Sequence, residues 1–448
     1  MSSLSTAQPH SGSLEHDARL TTADTHKVAP GEIAVGVVIG RASEYFDFFA
    51  YGIASVLVFP QLFFPFEARL EGTLYAFALF ALAFIARPIG TAVSMQVQRR
   101  WGRGTKLTIA LFLLGTSTVG IAFVPSYDAI GVLAIWLLAA FRVGQGLALG
   151  GSWDGLPSLL ALNAPRDKRG WYSMLGQLGA PLGFALAAGL FAFLYSSLSL
   201  RDFLDWGWRY VFFVAFAINV VALFARLRLV VTHEYEKLMD EGELEPTPVR
   251  EIVREQGSNV LIGAFAALAS YALFHLVTVF PLSWIHLYSD QSIPEFLGVQ
   301  IVGAALAASG VVVSGWIADR VGRRRTLGSL AVAIAVYSGF APALLGGGTL
   351  GQDVFILVGF VLLGLSYGQA AGTVTSNFNS HYRYTGAALT SDVAWLIGAA
   401  FAPLVALGLS ANFGLAWVSV YLLSGAACTL AALGINHALE SRESRDAP

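Results

Sequence analysis

The sequence predicts an all-α membrane protein of twelve transmembrane helices, arranged as two pseudo-symmetric six-helix bundles. Three observations carry this expectation: an apolar composition, apolar segments that recur at bilayer length, and basic residues confined to alternate loops. Of 448 residues, 56% are hydrophobic and only 12% charged, whereas soluble domains average about 25% charged residues. Mean hydropathy is +0.64, so the chain needs lipid as its solvent. The net charge of -2 implies neither an acidic partner nor nucleic acid. Cys428 is the only cysteine, which excludes an internal disulfide framework and a cysteine-based metal site.

Crossing a hydrocarbon core of about 30 Å takes roughly 20 apolar residues. Segments of that length fall at 33–58, 73–94, 107–125, 129–160, 172–197, 209–231, 259–283, 296–316, 327–346, 354–376, 386–409 and 415–436. Residues 1–32 are rich in Ser, Thr, His and Asp and lack the apolar core of a cleavable signal, so they are expected to form a flexible cytosolic tail. The first bundle is expected over 33–231, the second over 259–436, and a short cytosolic tail over 437–448. Between the bundles, 232–258 is the longest polar stretch, rich in Glu, Lys and Arg, and reads as a cytosolic linker.

Orientation follows from the basic residues. Arg99, Arg100, Arg103 and Lys106 follow the second span, Arg166, Lys168 and Arg169 the fourth, and Arg226, Arg228, Lys237, Arg250 and Arg254 the sixth. Arg320, Arg323, Arg324 and Arg325 follow the eighth and Arg383 the tenth, whereas the alternate loops hold only Arg69 and Arg201. By the positive-inside rule, both termini are expected in the cytoplasm of a bacterial inner membrane.

The halves echo each other. Gln98-Arg99-Arg100-Trp101-Gly102-Arg103-Gly104-Thr105-Lys106-Leu107 has its counterpart in Ala318-Asp319-Arg320-Val321-Gly322-Arg323-Arg324-Arg325-Thr326-Leu327. Equivalent basic loops after the second span of each half point to an internal duplication. Such repeats put a solute site near the midplane between halves that rock against each other.

Gly315-Trp316-Ile317-Ala318-Asp319-Arg320-Val321-Gly322-Arg323-Arg324 resembles the signature loop of the major facilitator superfamily. Further stretches resemble its metabolite:proton symporter family: Glu44-Tyr45-Phe46-Asp47-Phe48-Phe49-Ala50-Tyr51-Gly52, Ala86-Arg87-Pro88-Ile89-Gly90, Arg142-Val143-Gly144-Gln145-Gly146, Gly207-Trp208-Arg209 and Arg383-Tyr384-Thr385-Gly386-Ala387. The resemblance implies the superfamily's fold, alternating access, and proton-coupled movement of carboxylates, shikimate-like acids, or zwitterions such as proline and betaine. Three positions depart from the family pattern: Met95 and Arg99 replace a Gly and an Asp of the first signature loop, Ser152 follows Gly150-Gly151 in place of Glu, and Asp392 replaces a neutral amide in helix 11.

An ionisable side chain inside a bilayer is expensive unless paired or hydrated, so each is a functional candidate. Glu44 and Asp47 stand about eleven and fourteen residues into the first span, near its middle at about 1.5 Å per residue. Arg142 reaches a similar depth from the other side, and the resemblance implies that helices 1 and 4 face each other. Asp47 with Arg142 is therefore expected to couple protons, with Glu44 as a further candidate; a permanent structural pair is the alternative. Arg41 lies three residues before Glu44, a spacing that lets the two compensate on one face. Arg87, beside the helix-loosening Pro88, suits bidentate carboxylate recognition; a gate or packing arginine paired with a neighbouring acid is the rival reading. Tyr51, Gln145, Tyr271, His275, Asn377 and Trp395 are expected cavity linings, with a packing role as the rival reading for Tyr51 and His275. Arg209, after Trp206 and Trp208, reads as an interface anchor.

In the superfamily, the acid of the first signature loop engages the start of helix 11 and holds the inner gate. With Arg99 in its place and an acid at Asp392, the charges are expected to be exchanged and the latch kept. Alternatively, Asp392 belongs to the cavity. Asp319, Arg320, Gly322 and Arg323 keep the family pattern and are expected to form the second gate. Gly144, Gly146, Gly150 and Gly151 sit in an apolar helix without the Lys-Ser/Thr ending of a nucleotide loop, so they read as close packing, as do Gly364, Gly368 and Gly372. Prolines in Arg87-Pro88, Ala180-Pro181 and Ala402-Pro403 offer places to bend.

The expected function is secondary active transport of a small organic acid or zwitterion by a monomer in the bilayer, driven by the proton gradient, with no cofactor, metal or nucleic acid. Efflux of an apolar or cationic compound, for which Asp392 and Asp154 would serve, and a transporter-like sensor are the alternatives. Nothing marks an enzyme: there is no HExxH, nucleotide loop or Cys/His metal spacing.

Overall fold

The computed structural model describes residues 30–152, 168–230, 246–375, 378 and 380–446. The N-terminal stretch 1–29, Asp154, most of the linker and Asn377 lie outside them.

Every described element is helical. Helix α1 runs Pro30–Leu57, with Pro30 at its first position, where a missing N–H is harmless. A 55-residue helical run, Arg69–Phe123, is broken at Gly102, whose φ of 82° no side-chain-bearing residue adopts readily. It therefore makes two helices, α2 (69–101) and α3 (103–123). α4 is Val132–Gly151, α5 Arg169–Ser197 and α6 Leu200–Phe224. In the second half α7 is Val249–Ala266 continued by Leu268–Tyr288. α8 is Ile293–Val321, α9 Arg323–Leu345, α10 Gly348–Thr375, α11 Ser380–Gly398 continued by Ala402–Phe413, and α12 Ala416–Asp446. Gly322, at φ 91°, turns α8 into α9 as Gly102 turns α2 into α3, so the duplicated loops share a backbone device as well as a sequence pattern.

Among the described residues, ten helices are long and apolar enough to cross a membrane. They make twelve because Arg69–Phe123 is two helices, and because α1, long enough to cross at 28 residues, is set apart from the ten only by Arg41, Glu44 and Asp47 in its middle. α7 begins at Val249, inside the stretch read as linker, and α12 runs to Asp446, past the expected start of the C-terminal tail at 437. Both extensions are polar turns that continue a helix beyond its apolar part.

Glycine holds the two halves' inner pairs together. A Cβ at Gly146 would lie 2.3 Å from the Ala83 carbonyl, and at Gly150 2.2 Å from that of Arg87, so α4 rests on the backbone of α2. Gly364 repeats this against Ala307 in the packing of α10 on α8, at 2.2 Å.

Arg209 requires a correction. Trp206 is exposed, as an interface anchor would be, but Trp208 is fully buried. The Arg209 guanidinium stacks on Trp208 and donates to the carbonyls of Ala122 and Val124. It thus satisfies carbonyls at the end of α3 that no helical amide can reach.

Candidate solute pathway and its charge network

Asp47 lies on α1 and is 1% exposed. Its carboxylate accepts from Thr118 Oγ1 on α3 at 2.5 Å, Gln145 Nε2 on α4 at 3.0 Å and Asn219 Nδ2 on α6 at 3.2 Å. Four helices of the first half thus meet on one acid, and every donor is neutral. Asn219 is held in turn by Ser43, which donates to its Oδ1 at 2.6 Å.

Arg142, also 1% exposed, does not touch Asp47 directly, which corrects the expected ion pair. Its Nη1 donates to Gln145 Oε1 at 2.9 Å, and its Nε donates to the Phe80 carbonyl at 3.1 Å. The amide of Gln145, one turn along α4, therefore links the two charges: its oxygen faces the guanidinium and its nitrogen the carboxylate. The aromatic faces of Tyr51 and Phe80, 4.1 and 4.7 Å from Arg142 Cζ, supply further stabilisation. Arg142 Nη2, the Tyr51 hydroxyl and His275 Nε2 are buried without a hydrogen-bond partner. His275 packs over Phe48 and Phe80, at centroid distances of 5.2 and 5.3 Å, beside this cluster.

Glu44 pairs with Arg41 at 2.6 Å, as the spacing predicts. Arg87 pairs with Asp392 at 2.6 Å, and Thr91 donates to the other Asp392 oxygen at 2.5 Å. These bonds cross from α2 to α11. The expected Arg99–Asp392 latch is thereby corrected, for Arg99 is exposed at the end of α2. Depth explains the exchange of partner. Asp392 lies twelve residues into α11 and Arg99 twelve residues beyond Arg87, each step about 18 Å along a helix, so Asp392 lies level with Arg87.

At the basic face the second-half gate residues separate. Asp319 accepts from the amides of Gly170 at 2.6 Å and Trp171 at 3.1 Å, at the start of α5 in the other half. A helix N-terminus is a natural seat for a carboxylate, and a Cβ at Gly170 would stand 2.8 Å from Asp319 Oδ1. Arg323 Nη2 reaches the Arg169 carbonyl at 3.5 Å, and Gly322 makes the turn. Arg320 does not join this contact; it lies over Trp316 of its own helix at 3.8 Å. In the first half a neutral acceptor does the corresponding work: Lys106 donates to the Tyr384 hydroxyl at 2.8 Å, and Tyr384 donates to Gln98 Oε1 at 3.0 Å.

A small cavity lies between the halves, lined by Arg41, Glu44, Tyr45, Phe48, Phe84, Arg87 and Trp395 among others. Of the residues expected to line it, Arg87 and Trp395 do. Tyr51, Gln145 and His275 surround Arg142 instead, and Tyr271 packs edge-on behind Trp395 at 5.0 Å. Tyr45 and Tyr367 join the halves by a hydroxyl contact.

Residues 129–391 match the Major Facilitator Superfamily. Over 434 residues the chain is 36% identical to an inner membrane metabolite transport protein of Escherichia coli, spanning 95% of this chain and 97% of that protein. The chain belongs to the major facilitator superfamily. Another similar member is the shikimate transporter of E. coli, 31% identical over 89% of this chain and 92% of that one. The E. coli proline/betaine transporter is 27% identical over 92% and 83%. The crystal structure of a D-xylose-proton symporter matches with a TM-score of 0.67 over 90% of this chain and 96% of that one, at 18% identity, a likeness of fold alone.

This major facilitator protein is accordingly a multi-pass inner-membrane transporter that binds a small solute, and not an enzyme. Sequence reasoning missed Thr91, Thr118 and Asn219 around its two buried acids. Their signal was present, since a polar residue in the middle of an apolar span needs a partner, but nothing local says which one.

Proposed function

We propose that this transporter is a proton-coupled symporter of a small organic acid or zwitterion, working by alternating access, with both termini in the cytoplasm. Asp47 is the proton carrier, Gln145 and Arg142 sense its state, and Arg87 recognises the anionic group of the solute. The observation that carries the reading is Asp47 itself: a carboxylate buried at mid-bilayer, surrounded by Thr118, Gln145 and Asn219 rather than neutralised by an arginine at contact. All three groups can serve the protonated as well as the ionised acid, because hydroxyls and amides both donate and accept. A change of proton occupancy changes what Gln145 must donate, and through its other end what Arg142 receives. The relatives that carry shikimate and proline or betaine support a carboxylate-bearing solute. Efflux of cations is less well supported, because of the two acids that would serve it Asp392 is neutralised by Arg87, while Asp154 lies outside the described residues.

The test is uptake into proteoliposomes with an imposed pH gradient, against a panel of shikimate, succinate, proline and glycine betaine. Wild-type protein accumulates at least one of them, whereas Asp47→Asn accumulates none but still exchanges solute across vesicles without a gradient. Undiminished accumulation by Asp47→Asn overturns the assignment, and a wild type that binds solute without moving it is a sensor.

A further inference from the structure

Arg87 lines the cavity, yet its Nε is already bound to Asp392. The other guanidinium lining the cavity, that of Arg41, holds Glu44 at the same 2.6 Å. The two pairs differ in where they run. Arg41 and Glu44 belong to one helix, and their bond does not cross between the halves. Arg87 and Asp392 belong to opposite halves, and with Thr91 they are the deepest polar contact between α2 and α11, well inside the Lys106–Tyr384–Gln98 chain.

We propose that Asp392 is a built-in stand-in for the carboxylate of the solute: the incoming anion takes its place on Arg87 and thereby unfastens α11 from α2. The proposal rests on the reading of the solute as an organic acid. Exchanging one carboxylate for another keeps the buried guanidinium neutralised throughout. Removing Asp392 with nothing in its place leaves an uncompensated buried charge, which is strongly unfavourable. The empty carrier therefore stays fastened at this point and the loaded one does not. The released Asp392 moves away with α11 toward the basic face, where entering water solvates it. A ligand shifts an equilibrium only through differential affinity for its two states, and here the difference is competition for a single guanidinium. A solute without an anionic group cannot compete and leaves the fastening shut.

The test uses full-length protein in nanodiscs with Cys428→Ser, carrying spin labels at Trp101→Cys and Val321→Cys, two exposed positions on the corresponding loops of the halves. The probes are shikimate and succinate, with the methyl ester of shikimate as uncharged control. In wild type the carboxylates lengthen the distance between labels and the ester does not. Asp392→Asn shows the longer distance without solute and binds the carboxylates at least about fivefold tighter, the lower end of ordinary coupling between sites. Thr91→Val, which keeps both charges, moves both readouts in the same direction by less, so the proposal does not hang on one variant's folding. Wild-type distances and affinities in both variants overturn it. Failure of the underlying reading shows separately, as a wild type that accumulates neither carboxylate in vesicles. The solute-free distances are then decisive alone, and unchanged distances in Asp392→Asn overturn the fastening.

Discussion

Asp319 Oδ1 stands 2.6 Å from the amide nitrogen of Gly170, so the signature loop of the second half is seated on the first turn of a helix in the other half. The closeness depends on position 170 having no side chain, since a Cβ there would also come within 2.7 Å of the Gly315 carbonyl. Gly170→Ala is expected to weaken the basic-face gate by about 1.5–3 kcal/mol, the usual worth of a hydrogen bond to a charged group. The measurement is reactivity of a cysteine placed at Ala83, on the cavity wall, toward a reagent added from that face; unchanged reactivity refutes the expectation.

Gln145→Leu removes the amide's bonds to Arg142, Asp47 and Thr118 but leaves Asp47 with Thr118 and Asn219, and Arg142 with the Phe80 carbonyl. Accumulation driven by a pH gradient is expected to fall about tenfold or more, the effect of losing one charge-assisted hydrogen bond, while exchange without a gradient persists. Equal loss of both would mean that Gln145 only holds the helices.

Arg99 is exposed and Asp392 is satisfied elsewhere. Arg99→Asp is therefore expected to leave transport within about twofold of wild type, in line with the small effects of surface charges. Asp392→Arg, which sets two guanidinium groups against each other, should abolish transport, and adding Arg99→Asp should not restore it. Recovery of uptake in the double variant would reinstate a latch between these positions.

Arg209→Ala strips the carbonyls of Ala122 and Val124 of their donor. A loss of about 1–3 kcal/mol is expected, seen as a lower melting temperature in detergent, with transport per folded molecule retained. A lost activity at unchanged stability would make Arg209 a functional residue instead.

The features legible in the sequence are those whose cause is local. Apolar length gives the twelve spans, and the Arg41–Glu44 pair follows from helical spacing alone. Gly146 and Gly150 announced close packing, though not that Ala83 and Arg87 would be the backbone met. What escaped the sequence depends on register between distant helices. Asp47 meets Thr118 and Asn219 only because α3 and α6 pack at its height. The partner of Asp392 was readable from depth, since counting residues from the helix start sets it beside Arg87, but family resemblance drew attention to the loop instead. Arg209 was misread because its tryptophan neighbours suggest a membrane interface, and only the end of α3 beside them explains the charge.

The two halves close the basic face with unlike materials: Asp319 sets a full negative charge on peptide dipoles, whereas Tyr384 is a phenol strung between an ammonium and an amide. Asp319 is half-buried whereas the Lys106 ammonium is buried, and dissolved ions screen an accessible charge more than a buried one, so raising ionic strength is expected to loosen the first seam ahead of the second. If the carrier opens here as proposed, a swing about the tyrosine side is expected rather than an even parting, and salt becomes a handle on which seam yields first.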